Sequence, residues 1–138
     1  MTSDIQNTPR NPADEGFYMP AEWELHSRTW MAWPCREEMW SNKMATRQAY
    51  ANVANTISEF EPVNMLACPR DVEDARHYLG DKAEVIEMPI DDSWTRDTGP
   101  NFLVNTKGEL AGSCWSFNAW AGMTVFFYLR FLLTHRFC

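Results

Sequence analysis

The stretch Val85-Ile86-Glu87-Met88-Pro89-Ile90-Asp91-Asp92-Ser93-Trp94-Thr95-Arg96-Asp97-Thr98-Gly99-Pro100-Asn101-Phe102-Leu103-Val104 places an acidic loop between two apolar, strand-like runs. Residues 85–88 read as one strand and 102–104 as the start of another. Gly99-Pro100 breaks the chain between them. A loop carried at a strand end by rigid neighbours is where sites are usually built. Asp91, Asp92 and Asp97 share this one with Trp94 and Arg96. Carboxylates beside an aromatic face make a seat for an organic cation. The acid supplies charge-assisted hydrogen bonds, and the ring adds cation–π attraction of roughly 0.5–2 kcal/mol. The same residues also read as a surface turn with an internal Asp–Arg pair and a half-buried Trp. In an extended loop Asp92 and Trp94 would face one way. Asp97 would then be brought round by the turn at Thr98-Gly99-Pro100, and Arg96 would brace the loop by pairing with Asp91 or another acid.

Working outward, Thr29-Trp30-Met31-Ala32-Trp33 is apolar on both faces, as a central strand would be, and stops at Pro34. Residues 43–60 are the clearest helix. Tyr50, Val53, Ile57 and Phe60 recur at three- and four-residue spacing as one stripe, and Glu61-Pro62 ends the run. Val63-Asn64-Met65-Leu66-Ala67-Cys68 reads as the next strand. Residues 71–79 form a shorter helix closed by Gly80. After the acidic loop comes a hairpin, strands 101–105 and 109–115, with Gly108 suited to the turn. The order strand, helix, strand, short helix, strand, loop, strand, strand is that of an α/β chain with mixed pairing. Residues 1–15 read as a mobile leader. The run 123–133 is dense, apolar and without alternation, and composition shifts abruptly after Gly122. It reads either as a final core element or, with more weight, as a tail foreign to what precedes it.

The chain has 138 residues, enough for one domain, and a net charge of −7. An acidic body disfavours nucleic acid and anionic membranes and favours cationic ligands. The run 123–133 falls short of a membrane span, which needs roughly 20 apolar residues, and Arg130 interrupts it. Cys35, Cys68, Cys114 and Cys138 show no CxxC pairing and no clustering with histidine, so no zinc site is expected. The polar N-terminus carries no signal-peptide pattern, which points to a reducing, cytoplasmic setting with free thiols. Cys35, Cys68 and Cys114 look like packed small side chains. His26 and His77 look like surface residues. No Cys/His or Ser/His/Asp arrangement emerges from spacing.

Several blocks, in order, carry a resemblance: Gly16-Phe17-Tyr18-Met19-Pro20-Ala21-Glu22-Trp23-Glu24, Thr29-Trp30-Met31-Ala32-Trp33-Pro34, Phe60-Glu61-Pro62-Val63, Asp91 to Pro100, and Phe117-Asn118-Ala119-Trp120. Through them, residues 16–122 resemble the N-terminal part of agmatine deiminases, within the bacterial-type peptidylarginine deiminase group. The resemblance implies a pentein fold, an α/β propeller of which this chain would hold about one and a half of five ββαβ-type modules. It implies hydrolysis of agmatine to N-carbamoylputrescine and ammonia, in putrescine and polyamine synthesis, without metal or organic cofactor. In such enzymes a cysteine thiolate attacks the guanidinium carbon, a histidine handles protons and acids hold the cation. By that resemblance Asp97 looks like the guanidinium-binding acid and Trp94 the aromatic wall. Asp91 and Asp92 either touch substrate or serve the loop's own geometry.

The departure is as specific. The family's nucleophilic cysteine and catalytic histidine lie beyond the stretch present here, so no catalytic residue is assigned in this chain. Cys138 is not equated with the nucleophile. Residues 123–138 match nothing in the family pattern and are read as out-of-register sequence from truncation, mis-splicing or a frame shift. The expected partner is a small guanidinium cation, with neither nucleic acid nor membrane. The expectation is a chain inactive alone. The alternative is a non-catalytic fragment that binds polyamine-like cations, or that associates with a full-length subunit or with itself.

Overall fold

A computed structural model describes residues 11–113 and 135–137. Its elements are β1 (Phe17–Tyr18), β2 (Thr29–Ala32), α1 (Lys43–Ile57), β3 (Val63–Ala67), α2 (Val72–Leu79), β4 (Glu84–Glu87), the single-turn α3 (Thr95–Thr98), β5 (Asn101–Asn105), β6 (Leu110–Ser113) and β7 (His135–Phe137). Two sheets result. One is parallel, in the order β2-β3-β4, and the other is mixed, in the order β1-β5-β6-β7. The mixed α/β class expected from the element order is what the structure shows.

The parallel sheet arises from two strand–helix–strand units, in which α1 carries the chain from β2 to β3 and α2 from β3 to β4. Asn42 starts α1: its side chain accepts from the Ala45 amide at 3.1 Å, satisfying one of the helix's free N–H groups. Gly80 closes α2 with φ +57, a conformation that side chains with a Cβ resist. All five β3 residues are buried. Val63, Met65 and Ala67 meet Trp33, Ala51, Ala54, Val72, Ala75 and Leu79 in one core. On the other face, buried Asn64 accepts from Arg28 at 2.9 Å, so its burial leaves no acceptor stranded.

Two expectations are corrected here. The helix ends at Ile57, so Phe60 lies beyond it in a turn and is 84% exposed, while Val53 is 51% exposed. Ala51 and Ala54 form the buried stripe instead, flanked by Tyr50 and Ile57. Their small size suits the close packing of α1 against α2 over the core, a signal that a search for large apolar residues overlooks. Second, the central strand is β3. β2 is at one edge of the three, and its neighbour Trp33 extends the ladder, donating from its amide to Leu66 O at 2.7 Å.

Among the described residues the mixed sheet has the smaller buried cluster, Phe17, Leu103 and Ala111. β5 and β6 form the expected hairpin, and Asn105 organises its turn by accepting from the amides of Lys107 and Glu109, each at 3.0 Å. Gly108 has φ +77. β1 pairs antiparallel with β5, and β7 pairs parallel with β6. Of the leader expected over residues 1–15, Pro12–Glu15 form a 3₁₀ turn and residues 1–10 lie outside the described residues. The tail expected over 123–138 is described only at β7. Cys114, Cys138 and the Phe117–Trp120 block also lie outside the described residues.

Candidate functional site: the loop joining the two sheets

Residues 88–100 leave β4, cross the C-terminal ends of β2 and β3, and enter β5. The crossing is held at its root. The Met88 amide donates to Ala67 O at 2.9 Å. Ile90 O then accepts from two thiols, Cys68 Sγ at 2.7 Å and Cys35 Sγ at 3.7 Å. Each cysteine stands just beyond a parallel strand, and both are buried and free. Burial, reinforced by the nearby Cys68 and Asp92, pushes the Cys35 thiol up to about 12, so Cys35 keeps its proton and acts as a donor. Both cysteines are packed as expected, with hydrogen-bonding duties that spacing did not reveal.

The next residues turn inward. Asp92 is buried, with Oδ1 accepting from the Ser93 amide at 2.8 Å and Oδ2 from Arg36 Nη1 at 3.3 Å. Arg36 also reaches Glu38 at 3.1 Å. The bonds to Glu38 and to Asp92 both raise its pKa. The Ser93 hydroxyl meets the Tyr50 hydroxyl of α1 at 2.9 Å, and the Tyr50 ring packs edge-on against Trp40 at 6.3 Å. Asp91 is half-buried.

After Ser93 the loop turns outward. Trp94 is 46% exposed, and its carbonyl accepts from the Asp97 and Thr98 amides, both at 3.2 Å. That closes the one turn of α3, on which the Asp97 side chain is exposed. Gly99 ends the turn, donating to Thr95 O at 2.8 Å. A Cβ at Gly99 would stand 2.5 Å from that oxygen, so only glycine fits. Arg96 pairs with Glu22, tying α3 to the segment after β1. The bracing role expected of Arg96 is met by an acid 74 residues away, not by Asp91.

The structure thus separates residues that an extended loop would have aligned. Trp94 and Asp97 face solvent on α3 and the position before it. Asp92 points into the protein, because the chain turns at Ser93 instead of running straight. Arg36 and Tyr50 belong to the site's construction and escaped the sequence reading. They lie 56 and 43 residues from their loop partners Asp92 and Ser93, and no local pattern marks them. Beside α3 runs a groove of about 740 Å³ lined by Met19, Glu22, Glu24, His26, Arg96 and Phe102 among others, with Trp94 and Asp97 outside its lining. Among the described residues no three His, Cys, Asp or Glu are placed to hold a metal ion, and no helix is long and apolar enough to cross a membrane.

Comparison with known proteins places this loop in context. Residues 18–128 match the Porphyromonas-type peptidyl-arginine deiminase family. The chain belongs to that family. A relative of this deiminase-family chain in Legionella pneumophila is 51% identical over 114 residues, covering 80% of the chain and 33% of the relative. The agmatine deiminase of Pseudomonas aeruginosa is 46% identical over 120 residues, covering 86% of the chain and 33% of that enzyme. Among solved structures, the agmatine deiminase of Enterococcus faecalis superposes with a TM-score of 0.77 at 39% identity, over 81% of this chain and 31% of its own. A more distant peptidyl-arginine deiminase-like structure shares the fold, with a TM-score of 0.69 at 23% identity. The deiminase-family chain spans about a third of the length of the curated relatives it matches.

Proposed function

We propose that this chain supplies the guanidinium-binding N-terminal part of an agmatine deiminase. That enzyme would convert agmatine and water to N-carbamoylputrescine and ammonia, a step toward putrescine. The observation that carries the reading is the similarity to proteins named agmatine deiminase, across a span that includes the loop 91–100. In this reading the chain forms about one and a half of five modules of a pentein propeller. Asp97 binds the planar cation through its carboxylate, which matches a guanidinium with two parallel hydrogen bonds. Trp94 gives the pocket an aromatic wall.

The cleaving groups come from elsewhere in the enzyme. A thiolate nucleophile must be exposed and easily deprotonated. Cys35 and Cys68 are buried, both donate to Ile90 O, and Cys35 is held as a thiol. Neither of these two cysteines suits the nucleophile's role, and in this reading the chain on its own binds agmatine without turning it over, in the reducing, cytoplasmic setting that suits its free thiols. Titration calorimetry with agmatine and an ammonia-release assay on the purified chain test both halves of the reading. Binding that Asp97→Asn weakens at least about tenfold is expected, matching the loss of a charge-assisted bond. Full affinity in that variant removes Asp97 from the pocket, and ammonia release by the pure chain overturns the assignment of catalysis elsewhere.

A second reading, association with a full-length subunit or with another copy, is favoured by one observation. Tyr18, Met19 and Leu25 line the groove with 54%, 56% and 101% exposure, and Trp23, beside it in sequence, is 88% exposed; interfaces cover exposed apolar side chains of this kind. Co-purification with a complete agmatine deiminase discriminates between the two.

A further inference from the structure

The acids of the loop are not equivalent, and the difference lies in what their oxygens already do. Both oxygens of Asp92 accept from donors within the chain, and its side chain is 7% exposed. A guanidinium reaching Asp92 would have to displace Arg36, itself a guanidinium, from a shielded site and gain nothing by the exchange. Asp97 is exposed on α3, one turn further along.

We propose that Asp92, together with Tyr50 and Ser93, positions the substrate-binding half of the loop and does not itself touch substrate. This inference rests on the reading of Asp97 and Trp94 as the ligand contacts. The path of the constraint is continuous. Cys35 and Cys68 fix Ile90 O, Arg36 fixes Asp92, and the Asp92 carboxylate fixes the Ser93 amide. Tyr50, carried on α1 against the main core, fixes the Ser93 hydroxyl. Ser93 immediately precedes Trp94, whose carbonyl opens α3 by accepting from the Asp97 amide. The rotation of that single turn, and hence the direction of Asp97, is set from Ser93 on one side and from Gly99 on the other. An isolated helical turn of four residues has no stability of its own. Its geometry must be imposed by such neighbours, and a pocket's affinity depends on the ligand not having to pay for that ordering.

Three single variants of the full chain separate positioning from contact: Tyr50→Phe, Asp92→Asn and Asp97→Asn. Tyr50→Phe keeps the ring against Trp40 and removes only the hydroxyl, so it stays informative if Asp92→Asn fails to fold. Two quantities are read, hydrogen exchange at the amides of residues 93–98 and agmatine affinity by calorimetry. Tyr50→Phe and Asp92→Asn are expected to speed exchange in that segment, and weaken binding, by about fivefold to tenfold, the loss of one buried hydrogen bond. Asp97→Asn is expected to weaken binding while leaving exchange unchanged. Unchanged exchange in Tyr50→Phe and Asp92→Asn overturns the positioning role, as does faster exchange with undiminished affinity. If the unaltered chain binds no agmatine, the functional reading itself fails and this one falls with it. Intact binding with unmoved exchange sinks the positioning role alone.

Discussion

Between the parallel sheet and its two helices, nine buried residues from β3, α1, α2 and Trp33 form one core. In the mixed sheet the corresponding cluster among the described residues is Phe17, Leu103 and Ala111. The loop that carries the candidate site is strung between these two unequal bodies. Its first half is bonded to the heavier one, through Cys35, Cys68, Arg36 and Tyr50. Its second half, α3, leads into the lighter one through Gly99 and Pro100. The difference teaches where precision comes from. The exposed residues that a ligand can reach are held by residues it cannot reach, and those belong to the half with the larger core.

Removing equal amounts of side chain from the two bodies should therefore cost unequal amounts. Met65 is fully buried at the middle of the parallel sheet, and Met65→Ala is expected to destabilise the chain by about 2–5 kcal/mol. Leu103 is 8% exposed, in a cluster of three among the described residues, and Leu103→Ala is expected to cost less than Met65→Ala, about 2 kcal/mol at the low end of that range. Urea denaturation of both variants measures this, and equal losses would break the comparison at its base. Next in size comes Gly99→Ala. The added methyl meets Thr95 O at 2.5 Å, so the turn must shift at an expected cost of about 1–3 kcal/mol. On the proposed function, agmatine affinity should fall with it. A variant with wild-type melting and wild-type binding would show that the end of α3 is not held as described. Smaller again is Asp74→Ala. Asp74 accepts from Trp33 Nε1 at 3.1 Å and pairs with Arg47 at 3.1 Å, while Arg47 also reaches Asp71 at 3.5 Å, stapling α1 to α2. Its loss leaves the Trp33 N–H unpaired beside the core, an expected cost of about 1–2 kcal/mol. An unchanged melting temperature would mean the heavier body owes nothing to this polar staple.

The same asymmetry governed what could be read from the residues alone. β3 and α2 are legible because a mostly apolar run of five and a Gly80 stop are local signals. α1 is legible as a helix, but its inner face is not. Val53 and Phe60 are large and correctly spaced, yet the buried positions are Ala51 and Ala54, whose lack of bulk suits the close packing of α1 against α2. β1 has only two residues, and its pairing with β5 spans more than eighty positions, so no period announces it. At the site, Asp97 and Trp94 stood out by their chemistry, and the loop was placed correctly at a strand end. That Asp92 turns inward could not be foreseen, because it depends on Arg36 and Tyr50 arriving from β2's exit and from α1. Side-chain type was readable. Side-chain direction was set by tertiary contacts.

The smallest effect expected is one of pH, and it tests how firmly the segment between β1 and β2 is tied to the parallel sheet. His26 Nε2 donates to Glu22 O at 2.8 Å, and Nδ1 lies 3.3 Å from Glu61. The Glu22 carbonyl first, then Glu61, raises the imidazole above its usual 6.5. Glu61 is lowered below its usual 4.5, first by the Thr29 hydroxyl and then by His26. For His26 the folded state binds the proton more tightly than the unfolded one. Its contribution is complete below 6.5 and is lost as pH rises through the raised value. For Glu61 the contribution is complete above 4.5 and is lost as pH falls through the lowered value. The two together should give a shallow maximum of stability between 4.5 and 6.5. Melting temperature against pH for the unaltered chain and for His26→Ala measures it. The variant should lose the alkaline decline and keep the core's stability, because this contact is half-exposed and lies outside both clusters. Two parallel curves would mean that the imidazole is not engaged with Glu22 and Glu61 in solution. The segment bearing Trp23 and Leu25 would then be tied to the protein through the Arg96–Glu22 pair.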